Sequence, residues 1–182
     1  WSVNSVKFHH TDLPGACVIE LEKLQDERGF FARTWCQKEF EDQGLVARVV
    51  QANTSFNTRA GTLRGMHYQL APYQMPKLVR CTRGALYNVI VDLRPESSTY
   101  KRWMAVELTA ANGRMLYVPA DFANGFITLE DNTEVNYLVS EAYTPGAESG
   151  LRWDDPAFGI EWPRPVEVIS EKDAGWPDFS DL

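Results

Sequence analysis

The sequence predicts an all-β fold: a cupin-like jelly roll, or small barrel, of antiparallel strands with a few short helices. Short apolar and aromatic segments recur at regular spacing between residues 61 and 139, and turn signals such as Arg83-Gly84 separate them. Helical patterns are almost absent between these segments, and parallel strands would need long crossovers. The 12% of aromatic residues also favours pleated, half-buried surfaces.

The predicted elements follow in chain order. Strands are expected at residues 16–21, 30–35 and 46–55, with one short helix at 37–44 that ends at Gly44. Further strands are expected at residues 63–68, 77–82, 85–93, 103–108, 114–118, 125–129 and 133–139. The tail, residues 145–182, is rich in Trp, Pro and Asp and should wrap the barrel as loops and short helical turns. Without a linker or repeat, residues 1–182 are predicted to form a single domain.

Charge and cysteine content exclude several classes of protein. The net charge of −7 disfavours a general binder of nucleic-acid backbones. Cys17, Cys36 and Cys81 are widely spaced and odd in number, so we expect reduced, structural thiols. No stretch reaches the roughly 18 apolar residues of a membrane span, and the start WSVNSVKFHH lacks the features of a signal peptide. We therefore expect a cytoplasmic protein.

The main candidate for an active-site segment is residues 62–80, TLRGMHYQLAPYQMPKLVR. It reads as a strand, a turn and a strand carrying Arg64, His67 and Lys77, which could hold an anion and move a proton. Strand alternation points His67 into the barrel, although spacing alone favours a hydrogen-bonded core histidine over a catalytic one. His9 and His10 read as solvated. A single barrel histidine argues against a metal site.

A second pattern is the period-two polar row Gln51, Asn53 and Ser55. Facing inward, this row would line a cavity; facing outward, it would be solvated. The pattern alone favours the solvated interpretation.

Several ordered motifs carry a family resemblance. They are DERGFF (26–31), QANTS (51–55), TLRGMHYQ (62–69), PKLVRCTRGALYNVIVDLR (76–94), YVPADFANGF (117–126), TEVNYLVSEAYTP (133–145) and RWDDPAFGIEWP (152–163). Together they resemble the dTDP-4-dehydrorhamnose 3,5-epimerase family. The resemblance implies a jelly-roll isomerase without metal or organic cofactor, usually a homodimer with exchanged strands. Its substrate would be a nucleotide-linked 4-keto-6-deoxyhexose inverted at C3, C5 or both, in deoxysugar biosynthesis.

The resemblance also assigns catalytic roles. A C–H beside a ketone needs a base on one face, an acid on the other and stabilisation of the enolate oxygen. By motif, His67 matches the base, Tyr137 the acid and Lys77 the cation beside the enolate. Asp155 matches the carboxylate that orients the histidine.

Binding roles follow in the same way. Arg28 and Arg64 match diphosphate contacts, for which forked guanidinium groups are suited. The remaining matches are a ligand-binding strand edge, a ring stacked on the base and a further binding position, at Gln51 and Asn53, Tyr143 and Glu148 respectively.

Three positions depart from the family pattern. Arg33 stands where a nucleotide-contacting Glu is usual, Asn124 where a substrate-contacting His is usual, and Asn88 where an Asp is usual. We expect these changes to alter recognition of the nucleotide, the sugar or the number of carbons inverted. A 3-only or 5-only epimerase, a non-catalytic sugar-nucleotide binder and a ketoisomerase remain open alternatives.

Overall fold

The computed structural model describes residues 5–180 as two antiparallel sheets packed face to face. The strands are β1 Val6–His10, β2 Cys17–Leu21, β3 Leu24–Asp26, β4 Gly29–Phe31, β5 Gln51–Asn57, β6 Leu63–Gln69, β7 Lys77–Arg83, β8 Ala85–Asp92, β9 Trp103–Thr109, β10 Met115–Val118, β11 Phe122–Thr128, β12 Thr133–Val139 and β13 Glu148–Gly150. Two short helices accompany them, α1 Gln37–Asp42 and α2 Glu171–Ala174.

The six-stranded sheet has the order β1-β2-β10-β7-β12-β5, and the five-stranded sheet has the order β13-β6-β11-β8-β9. The hairpin β3-β4 stands apart from both sheets. Every pairing between these strands is antiparallel, which confirms the predicted all-β class. Apolar side chains of both sheets fill the space between them, among them Val79, Leu116 and Val135 facing Leu86, Ile90 and Phe126.

A β-bulge in β6 determines on which side of the sheet Arg64 and His67 lie. Asn124 of β11 pairs with His67, but Phe126, two residues further along, pairs with Arg64, which lies three residues before His67. The extra residue on β6 brings Arg64 and His67 to the same side of the sheet, where simple alternation would separate them. Glycine is required here, since a Cβ on Gly65 would lie 2.5 Å from the Cα of Gly125.

The first third of the chain departs from the prediction. The strand expected at 30–35 is only the short strand β4, and the strand expected at 46–55 begins at Gln51 and continues to Asn57. The apolar residues Val46, Val49 and Val50 are exposed and form no strand. A segment of strand-forming residues becomes a strand only where a neighbouring strand pairs with it. The strand β1 was not predicted, and residues 1–4 of the segment that precedes it lie outside the described part of the chain.

The three cysteines and the two N-terminal histidines all lie within residues 5–180. Cys17, Cys36 and Cys81 are all free, as predicted. His9 and His10 are exposed, as expected. Within this described range, no helix is long and apolar enough to cross a membrane, and no group of three or more His, Cys, Asp and Glu side chains could hold a metal ion.

Candidate active site

Two neighbouring cavities share His67, Lys77 and Tyr137 in their walls. The first has a volume of about 390 Å³ and is also lined by Arg64 and Asn124. The second, of about 310 Å³, is also lined by Gln51, Asn53, Tyr143 and Glu148. His67 comes from the five-stranded sheet, whereas Lys77 and Tyr137 come from the six-stranded sheet. The predicted base and acid therefore approach the same space from facing sheets.

The imidazole of His67 is held by Asp173. Its Nε2 lies 2.6 Å from Oδ1 of Asp173, while the backbone N–H of Gly65 donates to Oδ2 at 3.1 Å. The Asp173 side chain is only 7% exposed. Burial alone would raise the pKa of Asp173, but the hydrogen bond and charge of His67 outweigh burial and keep this pKa below its ordinary value. An ionised carboxylate on Nε2 fixes the tautomer in which Nδ1 carries the free lone pair.

The prediction that Asp155 orients His67 is wrong. The Asp155 carboxylate is buried, and it accepts from the backbone N–H groups of Ala157 at 2.8 Å and Phe179 at 2.6 Å. Its role is to fix the backbone of the tail. The resemblance led to this error because the DDP run is a prominent motif, whereas the true partner lies 18 residues further along the chain.

Sequence reasoning missed Asp173, although a signal was present. Residues 170–173, Ser-Glu-Lys-Asp, have the serine-first, acid-fourth spacing of a helix start. Ser170 caps α2 by accepting from the backbone N–H of Asp173 at 3.1 Å. The preceding segment is tied to β6, since the N–H of Leu63 donates to the carbonyl of Val168 at 2.8 Å. This attachment places the first turn of α2 beside His67.

Lys77 and Tyr137 are both half-buried, and burial moves their pKa values in opposite directions. It lowers the pKa of Lys77 to about 8, with the charge of Glu148 opposing the shift. It raises the pKa of Tyr137, with the charge of Arg64 opposing the shift. At neutral pH, Lys77 is therefore mostly a cation and Tyr137 a protonated phenol.

The Arg64 side chain, which lines the first cavity, is held by a hydrogen bond. Its Nε donates to Oδ1 of Asn57 at 2.8 Å, and the amide of Asn57 is itself anchored to the carbonyl of Thr133 at 3.1 Å. Holding Nε fixes the plane of the guanidinium group and leaves its outer N–H groups to donate to phosphate oxygens.

The second cavity carries the predicted strand-edge residues. Gln51 donates to Asn53 at 2.8 Å, and both side chains are half-buried in the cavity wall. Ser55, the third member of the polar row, lines the first cavity. The solvated interpretation of this row is therefore wrong, because a face of β5 that appears polar in sequence faces a cavity instead of bulk water.

Tyr143 and Glu148 meet at the rim of the second cavity. The Tyr143 hydroxyl donates to Oε2 of Glu148 at 3.0 Å, and Nζ of Lys172 donates to the same oxygen at 2.5 Å. Burial alone would raise the pKa of Glu148, but these two hydrogen bonds outweigh burial and hold it below its usual value. The buried side chain of Gln69 accepts from the N–H of Thr144 at 2.8 Å and so fixes the loop that carries Tyr143.

Three remaining positions lie elsewhere. Arg28 is on the exposed hairpin and pairs with Asp26, while Arg33 pairs with Glu39 of α1 at 2.7 Å. Within one chain, neither arginine lines the two cavities. Asn88 is fully buried behind the cavity wall, where its Nδ2 donates to Oδ1 of Asn124 at 2.7 Å.

Comparison with known proteins places this geometry in a family. A family model described as dTDP-4-dehydrorhamnose 3,5-epimerase matches residues 10–181. A protein of that name from Sinorhizobium fredii is 41% identical over 99% of this chain and 93% of its own length. The crystal structure of the Bacillus anthracis enzyme of that name, with TDP and PPi bound, has a TM-score of 0.93 and 39% identity, covering 96% of this chain and 100% of that one.

A further solved relative has a narrower reaction. It is ChmJ, a 3'-monoepimerase from Streptomyces bikiniensis in complex with dTDP-quinovose, with a TM-score of 0.87 and 31% identity over 93% of this chain and 86% of that one. The predicted isomerase class and the jelly-roll fold are confirmed by these matches. This chain belongs to the dTDP-4-dehydrorhamnose 3,5-epimerase family of deoxysugar-biosynthetic enzymes.

Proposed function

We propose that this enzyme epimerises a dTDP-linked 4-keto-6-deoxyhexose at C3, C5 or both, by proton abstraction and reprotonation through an enolate. The observation that carries the proposal is the placement of an Asp-held imidazole and a protonated phenol on facing sheets around shared cavities. A base and an acid on opposite faces of a sugar ring are the arrangement that inversion at a carbon requires.

The proton steps can be assigned to atoms. Nδ1 of His67 takes the proton from the carbon beside the C4 ketone, and the electron pair of the broken C–H bond moves into the enolate. The Tyr137 hydroxyl then gives its proton to the opposite face of that carbon. The resulting imidazolium loses its proton to solvent and the phenolate takes one from it, which returns both groups to their starting states.

Lys77 is the group that stabilises the enolate oxygen in this proposal. It lines both cavities together with the base and the acid, so its ammonium group lies where negative charge develops. The Asp173 carboxylate supports the base by stabilising the imidazolium that forms after proton abstraction.

For the rest of the substrate, we assign the diphosphate to Arg64 and the nucleobase to the second cavity. The relatives support a thymidine nucleotide, since the B. anthracis structure holds TDP and the S. bikiniensis structure holds dTDP-quinovose. Tyr143 is 51% exposed, and its ring offers a face on which a base can stack. Gln51, Asn53 and Glu148 supply polar groups around it.

We also propose a homodimer. The hairpin β3-β4 presents Phe30 and Phe31 with 55% and 65% of their surface exposed, and a second copy of the chain would bury these rings. Its arginine, Arg28, then reaches a neighbouring cavity, where it contacts the diphosphate as the family resemblance implies. Arg33 follows this hairpin, and the same arrangement brings it towards the nucleotide. Three free cysteines suit the reducing cytoplasm, where we place the reaction.

The number of inverted carbons is read from the product. In deuterated water, dTDP-4-keto-6-deoxyglucose should lose its proton NMR signal at C3, C5 or both when the protein is added. His67→Ala should abolish this exchange, whereas His9→Ala, which changes an exposed histidine, should leave it intact. Wild-type exchange by the His67→Ala variant would remove His67 as the base, and no exchange by the wild-type protein would reject the proposed substrate.

A further inference from the structure

Next to the base, the first cavity is lined by Asn124, which is hydrogen-bonded to the buried Asn88 in an amide pair that the proton steps above do not use. Asn124 of β11 is the cross-strand partner of His67, so both side chains lie on the same side of the sheet. Asn88 of the neighbouring strand β8 is the cross-strand partner of Phe126 and so lies diagonally beside Asn124. It is fully buried and donates through Nδ2 to Oδ1 of Asn124 at 2.7 Å.

Hydrogen-bond accounting fixes the direction of this pair. In the observed orientation, the side-chain carbonyl oxygen of Asn88, Oδ1, is buried and has no partner among the described residues. Rotating both amides would move the Asn88 NH₂ group to the buried position where Oδ1 now lies without a partner. Buried orphan N–H groups are rarer than under-used carbonyl oxygens, so the observed orientation is the more stable one.

The consequence for Asn124 is that its donor faces the cavity. Its oxygen is occupied by Asn88, and its Nδ2 makes no hydrogen bond to any side chain or backbone group of residues 5–180. Asn124 is half-buried and lines the first cavity, so this NH₂ group is accessible there.

We propose that Asn88 is a positioning residue that holds the Asn124 NH₂ towards the sugar, and that this fixed donor selects a substrate with a hydroxyl or ketone oxygen at the facing carbon. This inference rests on the proposed function for the identity of the sugar nucleotide. An amide does not titrate, so the donor persists across the working pH range. A protonated amino substituent would meet a donor instead of an acceptor and would be rejected.

Asn88→Asp tests the inference without changing any group that touches substrate. The ionised carboxylate accepts from the Asn124 NH₂ and turns the Asn124 oxygen towards the cavity. We expect kcat/KM to fall about ten- to hundred-fold at pH 8, the size of one misdirected buried hydrogen bond. Burial raises a carboxyl pKa, and the protonated form can again donate to Asn124, so the variant-to-wild-type ratio should recover as pH falls.

Dividing kcat/KM of the variant by kcat/KM of wild type at each pH cancels the effect of groups that titrate in both proteins. The charged and titratable groups around Asn124 in the cavity are Arg64 and His67 on the adjacent strand β6, and Lys77 and Tyr137 on β7 and β12 of the facing sheet. The matched control is Asn112→Asp, which adds the same charge on an exposed turn and should give a flat ratio near one. A flat ratio for a folded Asn88→Asp variant would overturn the proposal.

The activity of a second variant and the binding of an unreactive ligand test the inference where Asn88→Asp does not fold or turnover is absent. Where Asn88→Asp does not fold, Asn124→Asp presents only an acceptor to the cavity, and wild-type kcat/KM in that variant would overturn the inference. Binding of unreactive dTDP-glucose, measured by calorimetry, decides the case without turnover: a roughly tenfold weaker Kd for Asn88→Asp at pH 8 supports the inference, and an equal Kd rejects it. If wild type binds dTDP-glucose but exchanges no proton, the proposed reaction fails alone; if it does neither, both fail.

Discussion

Asp173→Asn is the most informative single change, because it preserves shape and removes only the charge. Within the described part of the chain, the Asp173 carboxylate accepts hydrogen bonds from the N–H of Gly65 and from Nε2 of His67. The Gly65 N–H can only donate, so the new side-chain oxygen must remain on it. The new NH₂ group then faces Nε2, which must become an acceptor.

This reversal disables the base. When Nε2 accepts, the proton of the neutral imidazole moves to Nδ1, the nitrogen that should take the substrate proton. The loss should approach the whole contribution of general-base catalysis, about 10²–10⁴-fold in the rate of proton exchange. We expect a loss of stability of about 1 kcal/mol, the difference between a charge-assisted and a neutral hydrogen bond, at a side chain that is only 7% exposed.

The assay is solvent-deuterium exchange at C3 and C5 under single-turnover conditions, with thermal unfolding of the same samples. The matched control is Asp155→Asn, a second buried carboxylate that was expected from sequence to serve the base but accepts from Ala157 and Phe179. That variant should unfold at a lower temperature while exchanging at a near wild-type rate per folded molecule. Equal rate losses in the two variants would refute the assignment of Asp173.

The pH dependence of stability gives an independent check. Asp173 has a folded-state pKa below its ordinary value, so its stabilising effect is fully present above about pH 4 and is lost as pH falls through the folded-state pKa. The stability gap between wild type and Asp173→Asn should therefore shrink in acid. A gap that widened below pH 4 would contradict the pairing.

Three further predictions concern the other groups of the site. Because the pKa of Lys77 is about 8, activity should decline on the alkaline side with a midpoint near pH 8, and Lys77→Arg should shift that decline upward; an unmoved midpoint in pH–rate profiles would exclude Lys77. Tyr137→Phe should still exchange substrate protons with deuterium but form no inverted product by NMR, and full inversion would remove Tyr137 as the acid. Arg64→Ala should weaken dTDP binding about tenfold or more in calorimetry with a smaller effect on turnover, and an unchanged Kd would place the diphosphate elsewhere.

Much of the fold could be predicted from sequence because its signals are local. The strand β12 was predicted at residues 133–139 as observed, and the predicted positions of β6 and β7 differ from the structure by one residue each. Alternating apolar residues and turn residues in neighbouring positions produce these signals. Residues 46–50 show the limit of such reasoning, because they were predicted as part of a strand from their side chains but form none, since a strand also needs a partner that is distant in sequence.

The residues of the candidate site likewise differ in whether a local sequence pattern identifies them. His67, Lys77 and Tyr137 could be identified from residue type and motif, and the structure brings all three to shared cavities. The carboxylate partner of His67 could not be identified in this way, because it is 106 positions away in sequence. Its location depends on backbone hydrogen bonds between the tail and β6, which no local pattern reports.

By itself, the sequence determined the all-β class, the family and the residue types that carry proton chemistry, since each is encoded in short contiguous patterns. Only the tertiary structure decided that Asp173 contacts His67, that the polar row of β5 faces a cavity, and that Asn88 donates a hydrogen bond to Asn124. The physical reason is that a hydrogen bond joins two groups in space. Its energy depends on geometry and burial, and both are set by how the two sheets and the tail pack together.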